Sequence, residues 1–191
     1  MKYLSFFILC LFICSCSGDY SPKPSGYFRI GLEEPVYRQY VDSSSHFSFN
    51  IQQKAMIEIV PDTTDGERFN IVYPSLNARI HCSFLPVKSR NDLIKASEDS
   101  RRFAYVHVIK ADGIFEKAYS DPENKIYALV YDIDGNVASP LQFVITDSVH
   151  YFFRGSLYFN VIPNQDSIAP VREYIRNDIK EIVTGFRWYC E

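Results

Sequence analysis

The chain has 191 residues, of which 47% are hydrophobic and 16% aromatic, and its formal net charge is −3. A length of about 100–200 residues is typical of a single domain. The aromatic content excludes an intrinsically disordered chain, which has few apolar side chains to bury. The slight acidic excess disfavours a nucleic-acid partner, because phosphate binding needs clustered Lys and Arg side chains.

The first fifteen residues predict a lipoprotein signal peptide. Lys2 gives a short positive start, and residues 4–13 form an apolar run of about ten residues, which is too short to span a membrane and typical of a secretory signal. The run ends in Ile-Cys-Ser-Cys at residues 13–16, which resembles a bacterial lipobox with a small residue before the acylated cysteine. Cys16 is therefore the predicted lipidation site. An ordinary cleaved signal peptide with incidental cysteines is the alternative.

The rest of the chain predicts a short linker and one domain. Residues 16–25 form a lipidated linker rich in Ser and Pro, which favours extended backbone, and residues 26–191 form a single α+β domain. Several acyl chains on one cysteine would hold such a domain stably at a membrane. Cys82 and Cys190 could pair in an oxidising compartment or stay free, with Cys82 in the core.

The spacing of apolar residues predicts the elements in chain order. Alternation predicts strands, and apolar residues at steps of three and four predict helices. Predicted strands cover residues 47–51, 57–59, 69–73, 78–84, 114–119, 126–133, 141–146 and 150–159. One helix runs from a cap at Asn91 or Asp92 to about Ile109, and a second starts at Asp166 or Ser167 and ends at Gly185. Residues 134–136 predict a hairpin turn, because glycine accepts positive φ.

This order predicts the α+β class, with a mainly antiparallel β-sheet packed with two main helices. The order of elements is similar to that of the Mog1/PsbP-like layered sandwich, a likeness of fold alone.

The sequence contains no local motif for catalysis or metal binding. Its four histidines (His46, His81, His107 and His150) lack the close spacing of a zinc site. A nucleophile elbow and a phosphate-binding glycine loop are also absent from the sequence, and the acidic pair Asp132/Asp134 is interpreted as turn and surface. We therefore expect no catalytic residue, metal or cofactor, with a metal site assembled from distant strands left as the alternative.

Polar residues on two neighbouring apolar strands predict a polar face. If residues 147–149 form a three-residue loop, Gln142 faces Arg154 and Thr146 faces His150. One interpretation is a recognition patch for a protein partner that includes Gln142, Asp147 and Arg154. The other is cross-strand hydrogen bonding over a solvated face.

Six segments of the chain are similar to one bacterial family. They include Ser-Pro-Lys-Pro-Ser-Gly-Tyr-Phe-Arg-Ile at 21–30, His-x-x-Lys-Ala-Asp at 107–112, Gly-Asn-Val-Ala-Ser-Pro-x-Gln-Phe at 135–143, Thr-Asp-Ser at 146–148, Phe-Arg-Gly-x-Leu-Tyr-Phe at 153–159 and Pro-Asn-x-Asp-Ser-x-Ala-Pro-Val at 163–171. These segments resemble the gliding-motility lipoprotein GldD family of Bacteroidota. The weakest match covers residues 57–73.

The resemblance implies a non-enzymatic component of the gliding-motility and type IX secretion machinery, anchored in the cell envelope by acyl groups such as palmitate. Partners would be the membrane and other envelope proteins of that machinery, with no known small-molecule substrate. Export to the cell surface in this phylum favours acidic residues directly after the acylated cysteine. Only one acidic residue, Asp19, follows Cys16 closely, which favours the periplasmic side of the outer membrane. His107 and Lys110 join Gln142, Asp147 and Arg154 as predicted partner-binding residues. The alternative function is a periplasmic ligand-binding module for a cell-wall fragment or peptide.

Overall fold

The structure is a computed structural model that describes residues 31–42, 47–61, 67–161 and 164–189. The predicted signal peptide, the lipidated linker and Cys16 lie outside the described residues. The strands are β1 (Tyr37–Asp42), β2 (Phe47–Gln52), β3 (Met56–Ile59), β4 (Glu67–Tyr73), β5 (Ala78–Pro86), β6 (Ala111–Asp121), β7 (Ile126–Gly135), β8 (Leu141–Thr146), β9 (Tyr151–Phe159) and β10 (Arg187–Trp188). The α-helices are α1 (Arg90–Tyr105) and α2 (Gln165–Thr184), and short 3₁₀ helices cover Pro74–Leu76 and Val106–Ile109.

The described strands form two antiparallel sheets. The large sheet has seven strands in the order β3-β4-β5-β9-β8-β7-β6, and the small sheet has the order β1-β2-β10. With both helices packed on these sheets, the predicted α+β class is confirmed. The sequence pattern does not predict β1 or β10, because β1 is an exposed edge strand and β10 has only two residues.

The main core lies between one face of the large sheet and a layer made of the small sheet and α2. Phe47 and Phe49 of β2 place their rings 5.4 and 5.9 Å from the ring of Phe153 in β9. Helix α2 adds buried aliphatic side chains at steps of three and four residues, namely Val171, Ile175, Ile179 and Ile182. Full burial of each such side chain contributes about 1.5–3 kcal/mol to stability.

Helix α1 packs on the opposite face of the large sheet, where Ala104 is buried against Tyr131 and Ile133 of β7. Its N-cap is Ser89, whose Oγ accepts a hydrogen bond from the backbone N–H of Asp92 at 3.2 Å. The prediction that Asn91 or Asp92 caps the helix is therefore wrong, because serine one turn earlier supplies the acceptor.

The first predicted helix also ends early, at Tyr105, where the chain continues as the 3₁₀ helix Val106–Ile109. Helix α2 begins at Gln165 after its cap Asn164, slightly before the predicted start, and Gly185 follows its last turn as predicted.

Gly135 is the last residue of β7 rather than the centre of a tight turn, and residues 136–140 connect β7 to β8. Its φ of +107° requires glycine, and an added Cβ would lie 2.6 Å from the carbonyl oxygen of Lys110.

A cluster of charged side chains fastens α2 to β7. Arg172 is only 6% exposed, and its Nη2 donates to Asp132 and, at 2.6 Å, to Oδ1 of Asp134. Arg176 also bridges to Asp132 Oδ2 at 2.7 Å. The interpretation of Asp132 and Asp134 as turn and surface residues is therefore wrong, because they compensate a buried cation.

Cys82 is a buried free thiol in the main core, and burial raises its pKa well above the usual range. Its possible partner, Cys190, lies outside the described residues.

Candidate binding groove

A groove of about 550 Å³ runs between α1 and the polar face of strands β4, β5 and β9. We call it the α1 groove. Its floor is formed by side chains that alternate with the core residues of β5 and β9, and its wall is formed by one face of α1. The floor includes His81, Ser83, Arg154, Ser156 and Tyr158, and the wall includes Asp99, Ser100 and Phe103.

Arg154 lies at the centre of the groove's contacts. Its guanidinium carbon is 4.6 Å from the centroid of the Phe103 ring, within the range of a cation–π interaction. Its Nη2 donates to Oε1 of Gln142 at 2.9 Å. Among the described residues, no carboxylate forms an ion pair with Arg154. Burial lowers the pKa of this guanidinium, which reflects the cost of a desolvated cation that lacks an anionic partner.

The two strands that carry Gln142 and Arg154 pair in a different register from the predicted one. Gln142 lies opposite Ser156, and Thr146 lies opposite Phe152. The predicted pairings of Gln142 with Arg154 and of Thr146 with His150 are wrong, because five residues (147–151), rather than three, separate the paired residues Thr146 and Phe152. A shift of two residues leaves each side chain on its predicted face, so Arg154 still reaches Gln142 along a diagonal.

Ser156 adds an unsatisfied polar atom to the groove. The residue is 3% exposed, and its Oγ has no hydrogen-bond partner within the described part of the chain. Buried hydroxyl groups normally have a partner, because leaving one unpaired costs free energy. The floor of the groove therefore holds a buried hydroxyl that is free to bond a ligand.

The far edge of the groove is occupied by hydrogen bonds within the sheet. His81 Nδ1 lies 2.6 Å from Oδ1 of Asn70, whose Nδ2 donates to Glu58 at 3.3 Å. Burial, followed by the charge of Arg79, lowers the pKa of His81 below its ordinary value. Burial therefore favours the uncharged form of the His81 ring.

Asp147, predicted to bind a partner, is turned inward and organises the loop between β8 and β9. It is 4% exposed, and its Oδ1 accepts the backbone N–H groups of Val149, His150 and Tyr151 at 2.9, 2.7 and 2.8 Å. Burial alone would raise the pKa of Asp147, but these three donors outweigh it and lower the pKa below its ordinary value.

His107 and Lys110 follow the end of α1, and Lys110 does not line the groove. His107 belongs to the 3₁₀ helix Val106–Ile109, and Lys110 follows it as an exposed residue. Val106, Val108 and Ile109 expose 65%, 58% and 90% of their surface. The structure thus brings Gln142 and Arg154 together and places His107 and Lys110 on a separate, apolar tip.

Other kinds of site find no counterpart in the described part of the chain. No group of three or more His, Cys, Asp or Glu side chains is arranged to hold a metal ion within those residues. None of the helices described is long and apolar enough to cross a bilayer.

Comparison with known families identifies the chain. The model of the family described as gliding motility lipoprotein GldD matches residues 17–188, which is most of the sequence. The chain belongs to the GldD family. Its membership in a lipoprotein family of gliding motility associates it with the cell envelope and its membranes.

The comparisons with curated proteins and with solved structures gave different results. No curated protein matches it significantly. Among solved structures, it is similar to the solution structure of cyanobacterial PsbP (CyanoP) from Synechocystis sp. PCC 6803, with 15% identity, a TM-score of 0.49, and coverage of 87% of this chain and all of that one. The likeness to the Mog1/PsbP-like layered sandwich stays a prediction, and nothing about function follows from this comparison.

Two residues of the groove are not predicted as binding residues from the sequence. Phe103 lies on the predicted α1 helix without belonging to the apolar stripe, and His81 lies on a strand whose partner strands no local pattern reveals. The alternation in residues 78–84 does place His81 on the polar face, so the strand order is the missing information.

Proposed function

We propose that this chain is a lipid-anchored, non-enzymatic component of the gliding-motility and type IX secretion machinery. The family match over residues 17–188 carries the proposal. In it, acyl groups on Cys16 anchor the chain in the outer membrane, and the folded domain faces the periplasm. Residues 16–25 form the linker between the anchor and the domain, a length that lets the domain reach a neighbouring envelope protein.

The proposal assigns partner binding to the α1 groove. Arg154 supports this role because it is a half-buried cation with one neutral acceptor, Gln142, and no ion pair among the described residues. Desolvated charged groups are concentrated at functional sites, and arginine is enriched among the residues that dominate binding at protein interfaces. Asp147 acts indirectly by fixing the loop after β8, and Lys110 with His107 forms a second contact surface at the apolar tip.

The anchor is tested by the Cys16→Ala substitution, with Cys14→Ala as the matched control. We expect Cys16→Ala to lose acyl labelling and to leave the membrane fraction, while Cys14→Ala keeps both. Continued acylation of Cys16→Ala would refute the assignment.

The role in secretion is tested by deleting the gene in the natural host. We expect less type IX cargo outside the cell and reduced gliding where the host glides, with unchanged envelope hydrolase activity. Normal cargo levels in the deletion strain would refute the proposal.

A periplasmic ligand-binding module is the second candidate. The open volume of about 550 Å³ and the unpaired Oγ of Ser156 favour it, because ligand sites combine an apolar wall with a few unsatisfied polar groups. The two candidates differ in what the groove accepts, a segment of an envelope protein or a small soluble molecule.

A further inference from the structure

From the geometry of the α1 groove we propose that it recognises a single carboxylate attached to an apolar group, bound by Arg154 and Ser156 with the apolar part against Phe103. The inference rests on the proposed role of this groove in binding and names the chemistry of its ligand. It is carried by three observations: an unpaired cation, an unpaired buried hydroxyl and an apolar wall.

The guanidinium of Arg154 can bind one anion through two of its N–H donors. Of the five N–H donors of Arg154, one at Nη2 has an acceptor within the described residues, the neutral Oε1 of Gln142. The planar guanidinium matches the spacing of two carboxylate oxygens. Its contact with Phe103 fixes the orientation of the plane without neutralising its charge.

The hydroxyl lies two residues further along the same strand. Because side chains of a strand alternate between faces, Ser156 and Arg154 lie on the same face of β9 about 7 Å apart along the strand. Its Oγ is buried and lacks a hydrogen-bond partner among the residues that the structure describes. A ligand oxygen between the two residues would accept hydrogen bonds from this hydroxyl and from the guanidinium. These bonds would remove the free-energy cost of leaving the two groups without an acceptor.

The charges around the groove favour one negative charge over two. Asp99 lines the wall and is paired with Arg102 at 2.8 Å. Glu67 lies at the groove's edge, where burial, followed by Asp42, raises its pKa to about 7. Arg68 also lines the groove, but it is exposed to water, which screens its charge. A monoanion therefore matches the desolvated cation, Arg154, better than a phosphate dianion does.

The remaining surface favours an apolar neighbour for that carboxylate. Phe103 is 45% exposed, and Phe152, Leu85 and Tyr158 also line the groove. Two sources supply a carboxylate next to apolar carbon atoms: the C-terminus of a polypeptide that ends in an apolar residue, and a short free carboxylic acid. Backbone carboxylate capture is a recurrent mode of peptide recognition.

The experiment uses the full purified chain, labelled with ¹⁵N, and follows the Nε–H resonance of Arg154. The probes are N-acetyl-Ala-Phe with a free C-terminus, the same dipeptide as its C-terminal amide, hexanoate, and inorganic phosphate. We expect saturable shifts of that resonance with one or both carboxylates and none with the amide or phosphate. Tighter binding of the dipeptide than of hexanoate would identify a polypeptide C-terminus as the source, and the reverse order a free acid.

Three variants decide whether the named residues bind the probe. Arg154→Lys and Ser156→Ala should each weaken carboxylate binding, the first by about ten- to a hundredfold. Binding to Arg154→Lys is read from the backbone amide resonances of the groove residues, and binding to Ser156→Ala from the Arg154 resonance. Lys95→Gln removes one exposed charge from α1 outside the groove lining and should leave binding unchanged. Equal binding of acid and amide, preferred binding of phosphate, or no shift with either carboxylate would overturn the inference. Since these titrations use purified protein, their failure leaves the secretion test in cells untouched.

Discussion

The guanidinium of Arg154 in β9 stacks over the ring of Phe103 in α1, with 4.6 Å between the guanidinium carbon and the ring centroid. This contact joins the helix to the polar face of the sheet at the place where the groove opens. The same side chain holds Gln142 of β8. A single arginine therefore links three elements while most of its donors stay available for a ligand.

The strength of this contact is measurable in a double-mutant cycle. Arg154→Met and Phe103→Leu should each lower the free energy of unfolding, and the double variant should lose less than the sum, by about 0.5–1 kcal/mol. Urea unfolding of the four proteins gives the coupling. Strictly additive effects would show that the stacked geometry contributes nothing to stability.

Asp147→Asn should destabilise the chain by about 1–3 kcal/mol near neutral pH, because three backbone N–H groups lose a charged acceptor. The pKa of Asp147 is lowered in the folded state, so its contribution is present above the ordinary value of 3.8 and is lost as pH falls through the folded-state pKa. The difference in the free energy of unfolding between wild type and Asp147→Asn should therefore become smaller below about pH 4.

Urea unfolding at several pH values checks this sign. Asp112→Asn, at an exposed residue, is the control and should leave the pH profile of the wild type unchanged. A gap between wild type and Asp147→Asn that stays constant from about pH 6 to about pH 3 would contradict the assigned role.

Gly155→Ala should cost about 1–3 kcal/mol of stability, because the added methyl overpacks the core. The new Cβ would lie 2.3 Å from Cε1 and Cζ of Phe143, which is fully buried and has no room to move. Gly31→Ala is the control, since nothing lies within 4 Å of its Cβ position. Equal unfolding midpoints for the two variants would mean that the strand and the ring adjust freely.

Substitution of either of two arginines of α2 by methionine should lower the free energy of unfolding by very different amounts. Arg172→Met leaves Asp132 and Asp134 without their buried partner and should cost about 3–5 kcal/mol. The side chain of Arg176 is 36% exposed, so Arg176→Met should cost about 1 kcal/mol or less. Thermal or urea unfolding of both variants gives the comparison, and a similar loss for both would argue against a buried ion cluster.

Local sequence patterns predict most strands of this fold, because each strand has one core face. The predicted strand at residues 141–146 has the bounds observed for β8, and Gln142 and Arg154 lie on one face as expected. The alternation alone fixes the face of each side chain.

Loop length and distant partners are what the sequence pattern leaves open. Five residues, rather than three, separate the paired residues Thr146 and Phe152. The connection is longer because Asp147 accepts hydrogen bonds from three backbone N–H groups that follow it, and this moves the register by two residues. The sequence pattern indicates a surface position for Asp132, because its partner Arg172 lies 40 residues later in the chain. The role of Ser156 can be inferred only from the groove around it, since no local sequence pattern shows whether a serine hydroxyl has a hydrogen-bond partner.

The most direct test of the central claim measures type IX cargo in the medium of a deletion strain that carries the gene for either Arg154→Lys or Lys95→Gln. Both proteins should reach wild-type levels in the membrane fraction, which separates binding from folding. We expect Lys95→Gln to restore cargo export and Arg154→Lys to leave it reduced, because the groove loses its bidentate donor. Full restoration of export by Arg154→Lys would contradict the claim that this groove binds a component of the machinery.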